Sequence, residues 1–150
     1  MEVINKTNLP ISLEDLTNNR HWRVEYGTDF KLPIIVSPLS DWKIIIRWLN
    51  SKKPYRGFCS PREKLIIIAI NPKNNYPFKV EIPIGTEQIN ANLYKYKFET
   101  VTFNNPSELV RFIFLHEFSH LLDYLRGLSL RMKQTKANRF ALANWKGEKP

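Results

Sequence analysis

The chain has 150 residues, of which 43% are hydrophobic and 25% are charged, and its formal net charge is +9. This length allows one domain with a hydrophobic core but not two ordinary domains, so we expect residues 1–150 to form a single domain. The composition excludes a low-complexity or disordered chain, and the single cysteine, Cys59, excludes both an intrachain disulfide and a zinc site built from several thiolates.

We expect neither a signal peptide nor a transmembrane segment in this sequence. The amino terminus does not combine a basic segment with a following apolar one, as signal peptides do, and apolar runs such as Leu65 to Ile70 are too short to span a bilayer. We therefore expect a cytosolic monomer that has no contact with membranes.

The first 63 residues predict packing elements rather than chemistry. Ser12 begins a short capped helix, residues 30–36 form a strand, and Ser40-Asp41 begin a second helix that turns one apolar side inward. Residues 51–63 are rich in Lys, Arg, Pro and Gly, which predicts a loop. His21 stands alone beside Trp22, and such a histidine is more often structural than a metal ligand. The apolar side of the second predicted helix consists of Trp42, Ile45, Ile46 and Leu49.

Three strands are predicted in the middle of the chain. The continuous apolar run Leu65 to Ile70 is typical of a strand in the centre of a sheet. Phe78 to Ile84 and Leu93 to Phe103 alternate apolar and polar residues, which predicts antiparallel strands that are half exposed. An exposed edge of such a strand can hold an extended peptide by adding it as a further strand.

A long helix follows these strands. Asn105 is a suitable N-cap, Pro106 suits the first helical position, Glu108 occupies the third position, and Gly127 provides a stop about six turns later. Apolar residues cover nearly the whole circumference between these ends, which predicts a helix in the centre of the protein.

This helix contains His-Glu-x-x-His as His116, Glu117 and His120. Histidines four residues apart lie above one another on one helix face, so both imidazoles can reach one Zn²⁺ ion. Glu117 lies beside them, where it can take a proton from a water at the metal as a general base. The structural alternative is a core helix whose histidines bond to backbone carbonyls, but each of three buried polar groups would then need its own partner.

A last helix is predicted to begin at Gln134. Gln134, Ala137 and Ala141 lie on one stripe, and small residues on that stripe would let this helix approach the metal helix closely, with Gln134 pointing at the metal.

The two C-terminal helices together resemble the zincin metallopeptidases, within them the gluzincin branch of ImmA/IrrE-type and SprT-like domains. In that branch His-Glu-x-x-His is followed by a helix reading Glu-x-x-Ala-Asn-x-Phe-Ala, whose first residue is the third zinc ligand. The matching residues here run from Gln134 to Ala141 and read Gln-Thr-Lys-Ala-Asn-Arg-Phe-Ala. The resemblance implies an α+β zincin-like fold in which a small mixed or antiparallel sheet packs on the His-Glu-x-x-His helix. It also implies a Zn²⁺ ion held by His116, His120 and Gln134, with Glu117 as the catalytic residue.

Gln134 departs from the family at the third ligand. A carboxamide oxygen can coordinate zinc, but as a neutral and weaker donor than a carboxylate. Asp123 and Glu148 are the alternative ligands, and a site of two histidines completed by a partner is another. Asp123 lies on the stripe of the two histidines, where it more naturally accepts a hydrogen bond from an imidazole or pairs with a basic residue.

Two functions agree with these features. The first is a zinc-dependent peptidase that hydrolyses a protein or peptide substrate. The second is a zincin-fold regulatory or nucleic-acid-associated binding protein whose metal site is weak or inactive. The basic end of the chain bears on this choice, because it is either a solvated surface or a region of weak nucleic-acid contact. It carries +6 of the +9 charge through seven basic residues against Glu148, namely Arg126, Arg131, Lys133, Lys136, Arg139, Lys146 and Lys149.

Overall fold

The computed structural model describes residues 1–17, 21–22, 30–31, 39–127 and 134–146, and within these ranges the protein is α+β. The first half of the chain contributes β1 (Glu2–Asn5), α1 (Leu13–Leu16), β2 (His21–Trp22), β3 (Phe30–Lys31), β4 (Lys43–Trp48), β5 (Tyr55–Ser60) and β6 (Leu65–Ile70). The second half contributes β7 (Phe78–Asn90), β8 (Leu93–Phe103), α2 (Pro106–Leu125) and α3 (Gln134–Asn144).

The main sheet has four strands in the order β1-β4-β6-β5. β4 runs parallel to β1 and β6, whereas β5 is antiparallel to β6, so the sheet is mixed. The apolar run Leu65–Ile70 forms β6 in the interior of this sheet, as predicted. The helix α2 packs across β5 and β6 and covers one face of the sheet. Every second residue of β4 and β6 points into the core, where Ile44, Ile46, Ile66 and Ile68 are fully buried.

Two predictions for the first half of the chain are wrong. The helix expected from Ser40-Asp41 is strand β4, because the run Ile44-Ile45-Ile46 is β-branched and fits a pleated sheet better than a helix. The loop expected over residues 51–63 contains strand β5, which is held by pairing with β6 rather than by its own apolar pattern. The strand predicted over residues 30–36 is present at Phe30–Lys31, and its remaining residues lie outside the described ranges.

The strands β7 and β8 pair antiparallel, as predicted, and form a hairpin. β7 continues to Asn90 and is therefore longer than the alternating pattern of Phe78 to Ile84 indicated. Near the core, Ile82, Val101 and Phe103 are buried, and a register shift follows between Pro83 and Gly85. Beyond this β-bulge the hairpin extends away from the core and its side chains are largely exposed.

The helix α2 begins and ends as the sequence predicted. The Asn105 side chain accepts a hydrogen bond from the backbone N–H of Glu108, Pro106 is the first helical residue, and Gly127 adopts a positive φ of 73° just after the end. The helix α3 packs against α2 through the fully buried Ala137 and Ala141, so the predicted close approach is present. No helix in the described part of the chain is both long and apolar enough to cross a membrane.

Candidate active site

His116 and His120 lie one turn apart on α2, and their ring centroids are 5.0 Å from each other. The two rings face the same cleft, which Gln134 and Asn138 of α3 also line. The spacing on one helix therefore brings the two histidines to one point, and the packing of α3 on α2 adds two amide side chains to them.

Asn138 fixes the tautomer of His116. Its Nδ2–H group donates to the backbone oxygen of Pro83 at 2.8 Å, so its Oδ1 atom faces His116 Nδ1 at 2.7 Å and accepts a hydrogen bond from it. A neutral imidazole carries one ring hydrogen, and here that hydrogen is on Nδ1. The lone pair of Nε2 is consequently directed into the cleft.

Gln134 brings a second lone pair to the same place. Its Oε1 atom is 2.6 Å from His116 Nε2, and with the amide oriented this way neither atom has a hydrogen to share when His116 is neutral. Burial, together with the neighbouring His120, lowers the pKa of His116 to about 4, so protonation does not relieve this contact at neutral pH. Two acceptors held together in this way suit a bound cation.

His120 also has an atom without a partner. The ring is buried, and Nδ1 makes no hydrogen bond to any described residue. Burial lowers the pKa of His120, although Gln134 and the charge of Asp123 act in the opposite direction. A neutral His120 can therefore offer a nitrogen lone pair to the same cation as His116.

Asp123 pairs with a basic residue, one of the two roles that its position suggested. Its Oδ1 atom accepts a hydrogen bond from Lys136 Nζ at 2.8 Å, which ties α2 to α3. Its Oδ2 atom is buried and has no partner among the described residues. Since one oxygen is held by an ammonium group, Asp123 is less suited than Gln134 to be the third ligand. Glu148, the other alternative, lies outside the described residues.

Glu117 has the properties of a general base. Its Oε1 atom is 4.0 Å from His116 Nε2, too far for a hydrogen bond but near enough to share a water with that site. Burial raises the pKa of Glu117 to about 7, so the carboxyl group can both accept and release a proton near neutral pH. Sequence reasoning placed this residue beside the histidines, and the geometry agrees.

Gly57 of β5 makes room for Glu117. A Cβ atom at this position would lie 2.5 Å from Glu117 Oε1 and 2.9 Å from Ile113 Cγ2, so any side chain there would displace the carboxyl group. The sequence analysis missed both Gly57 and Asn138. Asn138 could have been found, because it lies one turn after Gln134 on α3. Gly57 could not, because the close approach of β5 to α2 depends on tertiary packing.

The cleft has a volume of about 560 Å³ and is bounded by β5 on the side opposite α3. Cys59 also lines it, but burial and the charge of Glu117 raise the pKa of this thiol to about 12. The thiol therefore stays protonated at neutral pH when no cation is bound. In the described part of the chain, β5 is the last strand of its sheet, and its residues from Tyr55 to Cys59 line the cleft.

The donor set of the cleft fits Zn²⁺ with one departure. No group of three or more His, Cys, Asp and Glu side chains is positioned to hold a metal ion within the described residues. The third donor here is an amide oxygen, which lies outside that set, and the two imidazole nitrogens are what zinc prefers. His21 belongs to β2, and its side chain lies outside the described part of the structure.

Comparison of the chain with protein-family models, with curated proteins and with solved structures gives no match. The resemblance to zincins therefore stays a prediction from the two C-terminal helices, and the case for a function depends on the geometry of the cleft.

Proposed function

We propose that the protein is a zinc-dependent metallopeptidase with a zincin-like fold. The observation that carries this proposal is the convergence of the two histidine rings of α2 and the Gln134 side chain on one cleft, beside the buried Glu117 carboxyl group.

In this proposal His116, His120 and Gln134 hold the zinc ion. Zinc in such a site lowers the pKa of a water and polarises a carbonyl group. Asn138 keeps the hydrogen of His116 on Nδ1, and so preserves the lone pair that the metal needs. Glu117 takes a proton from the attacking water and passes it to the leaving amine, and its raised pKa suits both transfers.

The proposed substrate is an extended polypeptide. β5 lines the cleft together with Glu117 and is the last described strand of its sheet, and a strand edge binds an extended chain through backbone hydrogen bonds. Gly57 supports this arrangement, since it lets the edge strand lie close to the general base.

Metal analysis of purified variants tests the site before any substrate is known. We expect about one zinc per chain in the wild type, and a large loss of zinc affinity in His120→Ala. His21→Ala is the matched control, because His21 is the one histidine outside the motif. Equal zinc content in all three proteins would show that the two motif histidines are structural.

Glu117→Gln then separates metal binding from catalysis. This variant should keep its zinc and its fold but lose peptidase activity, because only the proton acceptor is removed. Activity equal to that of the wild type would rule out the general-base role of Glu117.

A second candidate function is a zincin-fold binding protein associated with nucleic acid. The neutral Gln134 and the basic C-terminal region favour it. Part of that basic charge is already engaged, because Lys136 pairs with Asp123 and Arg139 donates a hydrogen bond to the Ile84 carbonyl.

If DNA is the partner, its binding should weaken steeply as the salt concentration rises. The double substitution Arg131→Glu with Lys133→Glu should reduce the slope of log K against log salt concentration by about one unit for each phosphate that is no longer neutralised. Lack of DNA binding at low salt would leave the basic region as a solvated surface.

A further inference from the structure

The outer part of the β7–β8 hairpin exposes an unusual number of large apolar side chains. Five of the nine large apolar residues that are exposed in the described part of the chain belong to it. Monomeric proteins rarely expose such groups side by side unless they contact something. These five residues are Ile89, Leu93, Tyr94, Tyr96 and Phe98.

Three of these residues form one face of β8. Tyr94, Tyr96 and Phe98 are separated by two positions, so they point to the same side of the strand. The rings of Tyr96 and Phe98 contact each other, with 6.3 Å between their centroids. Lys95 and Lys97 lie on the opposite side of the strand. The hairpin thus presents an aromatic face that is separated from its charged face.

The bulge in β7 turns this aromatic face toward the first turn of α3. Pro83 pairs with Phe98 and Thr86 pairs with Tyr96 across the hairpin. A groove of about 530 Å³, which we call the aromatic groove, is lined by these four residues together with Gln134 and Thr135.

The hairpin is fixed to α3 beside the aromatic groove. Arg139 of α3 donates a hydrogen bond to the Ile84 carbonyl, and Asn138 donates one to the Pro83 carbonyl.

The aromatic groove continues the candidate active site. Pro83 and Gln134 line both cavities, and the Gln134 side chain that closes one end of the groove has its oxygen 2.6 Å from His116 Nε2. A molecule in the cleft can therefore extend into the groove past Gln134.

The charge of the hairpin argues for a polypeptide rather than a nucleic acid. Residues 78–103 carry three basic side chains, Lys79, Lys95 and Lys97, and three acidic ones, Glu81, Glu87 and Glu99. Binding of a phosphate backbone needs a clear excess of positive charge, which the hairpin lacks. An apolar groove without net charge suits an uncharged, apolar side chain.

We propose that the aromatic groove is a specificity subsite, in which Tyr96 and Phe98 bind an aromatic or large aliphatic side chain of the polypeptide substrate close to the bond that is cleaved. The inference rests on the proposed peptidase function and adds the residues that select the substrate. Tyr96 and Phe98 do not touch the reacting atoms, so they determine specificity without taking part in the chemistry.

The test compares cleavage sites in a complex peptide mixture, such as a digest of denatured casein, identified by mass spectrometry. The wild type should prefer an aromatic or large aliphatic residue at one position beside the cleaved bond. Tyr96→Ser and Phe98→Ser should lose this preference, with kcat/KM falling by about tenfold to a hundredfold for preferred peptides. Their kcat/KM for peptides with alanine at that position should change much less than their kcat/KM for preferred peptides.

Tyr94→Ser is the matched control. Tyr94 is 62% exposed and Tyr96 is 59% exposed, so both substitutions remove similar aromatic surface from the same face of β8, but only Tyr96 lines the groove. Tyr94→Ser should cleave like the wild type, and Tyr96→Phe should retain the preference.

A binding measurement provides a readout without turnover. Zinc-loaded Glu117→Gln protein should bind a fluorescein-labelled preferred peptide about tenfold or more tightly than the same peptide with alanine at the selected position. Adding Tyr96→Ser to this protein should abolish the difference.

The outcomes separate the two proposals. If the zinc-loaded wild type cleaves no peptide, the proposed function fails and the inference with it. If it cleaves without an apolar preference, or if Tyr96→Ser and Phe98→Ser keep that preference, the subsite is wrong while the peptidase function stands. If these two variants lose DNA binding while cleavage is unaltered, the aromatic face belongs to a nucleic-acid surface and the inference is overturned.

Discussion

At the level of single residues, the amide of Gln134 sets the charge of the proposed metal site. Two neutral imidazoles and a neutral amide would leave the full charge of a zinc ion uncompensated by its ligands, whereas a carboxylate would reduce it by one unit. Such a site is expected to bind zinc more weakly and to attract an anionic group more strongly. The net charge of the three proposed ligands therefore depends on whether the side chain at position 134 is an amide or a carboxylate.

Gln134→Glu tests this directly. The substitution places a charged oxygen where the amide oxygen now lies beside His116, so zinc should bind about 10- to 100-fold more tightly. Competition with a chelating dye measures the change. Thr135→Glu is the control, because it adds the same charge one residue away without a donor in the same position. Unchanged affinity in Gln134→Glu, with loss of zinc in Asp123→Ala, would assign the third ligand to Asp123.

Gly57 is the residue for which the structure makes the sharpest steric prediction. In Gly57→Ala the new Cβ atom would meet Glu117 Oε1 at 2.5 Å, so the carboxyl group must move away from the site. We expect peptidase activity to fall about a hundredfold, the effect typical of a misplaced catalytic group, while zinc stays bound.

Gly85→Ala is the matched control for this substitution. Its new Cβ atom would meet only Arg139 Nη1, at the ordinary contact distance of 3.7 Å. Activity and stability should therefore stay close to those of the wild type. Full peptidase activity in Gly57→Ala would mean that Glu117 reaches the water from another position.

At the level of the secondary-structure elements, the half-buried side chain of Arg111 joins the C-terminal ends of α1 and α3. Arg111 of α2 donates to the backbone oxygens of Asp15 and Leu16 at the end of α1, and to those of Asn144 and Trp145 at the end of α3. The last carbonyls of a helix lack partners within the helix, and a cation there also interacts favourably with the helix dipole. Arg111 thus orients the helix that supplies Gln134 and Asn138.

Arg111→Met should destabilise the protein by about 2–4 kcal/mol, because the apolar stem remains while several charge-assisted hydrogen bonds are removed. Urea unfolding measures the change. Lys64→Met is the control, since it removes an exposed cation paired with Asp41, and such pairs contribute about 0–1 kcal/mol. A similar small effect for Arg111→Met would show that water replaces its hydrogen bonds at little cost.

The success of sequence reasoning differed between elements for a physical reason. The helices α2 and α3 were predicted because their signals are local, namely the Asn105 cap, the Gly127 stop and the stripe of Ala137 and Ala141. The strand β4 was missed because Trp42, Ile45, Ile46 and Leu49 also fit one side of a helix, and β5 was missed because its pairing partner decides its structure. The cleft residues on α2, namely His116, Glu117 and His120, were therefore predictable, whereas the wall of the cleft that β5 provides was not.

At the level of the whole molecule, the ionisable groups of the cleft couple stability to pH when no metal is bound. Burial raises the pKa of Glu117 from 4.5 to about 7 and lowers that of His116 from 6.5 to about 4. Between the two Glu117 values the folded protein keeps a proton that the unfolded chain has released, so stability falls as the pH rises. His116 acts in the opposite direction, because its unfolded form binds a proton that the folded form excludes. The two effects partly cancel in the wild type.

Comparison with Glu117→Gln isolates the carboxyl contribution, because His116 is common to both proteins. In the presence of a chelator, the stability of the wild type relative to Glu117→Gln should be greatest at or below pH 4.5 and should decrease toward pH 7, the interval between the two pKa values of Glu117. The expected loss is about 3 kcal/mol, since one pKa unit corresponds to about 1.4 kcal/mol. Urea unfolding of both proteins at several pH values from 4.5 to 7.5 measures it. If the difference in unfolding free energy between the two proteins stays constant over this range, the Glu117 carboxyl group is in contact with water or with a cationic partner. Glu117 would then not be a general base with a raised pKa.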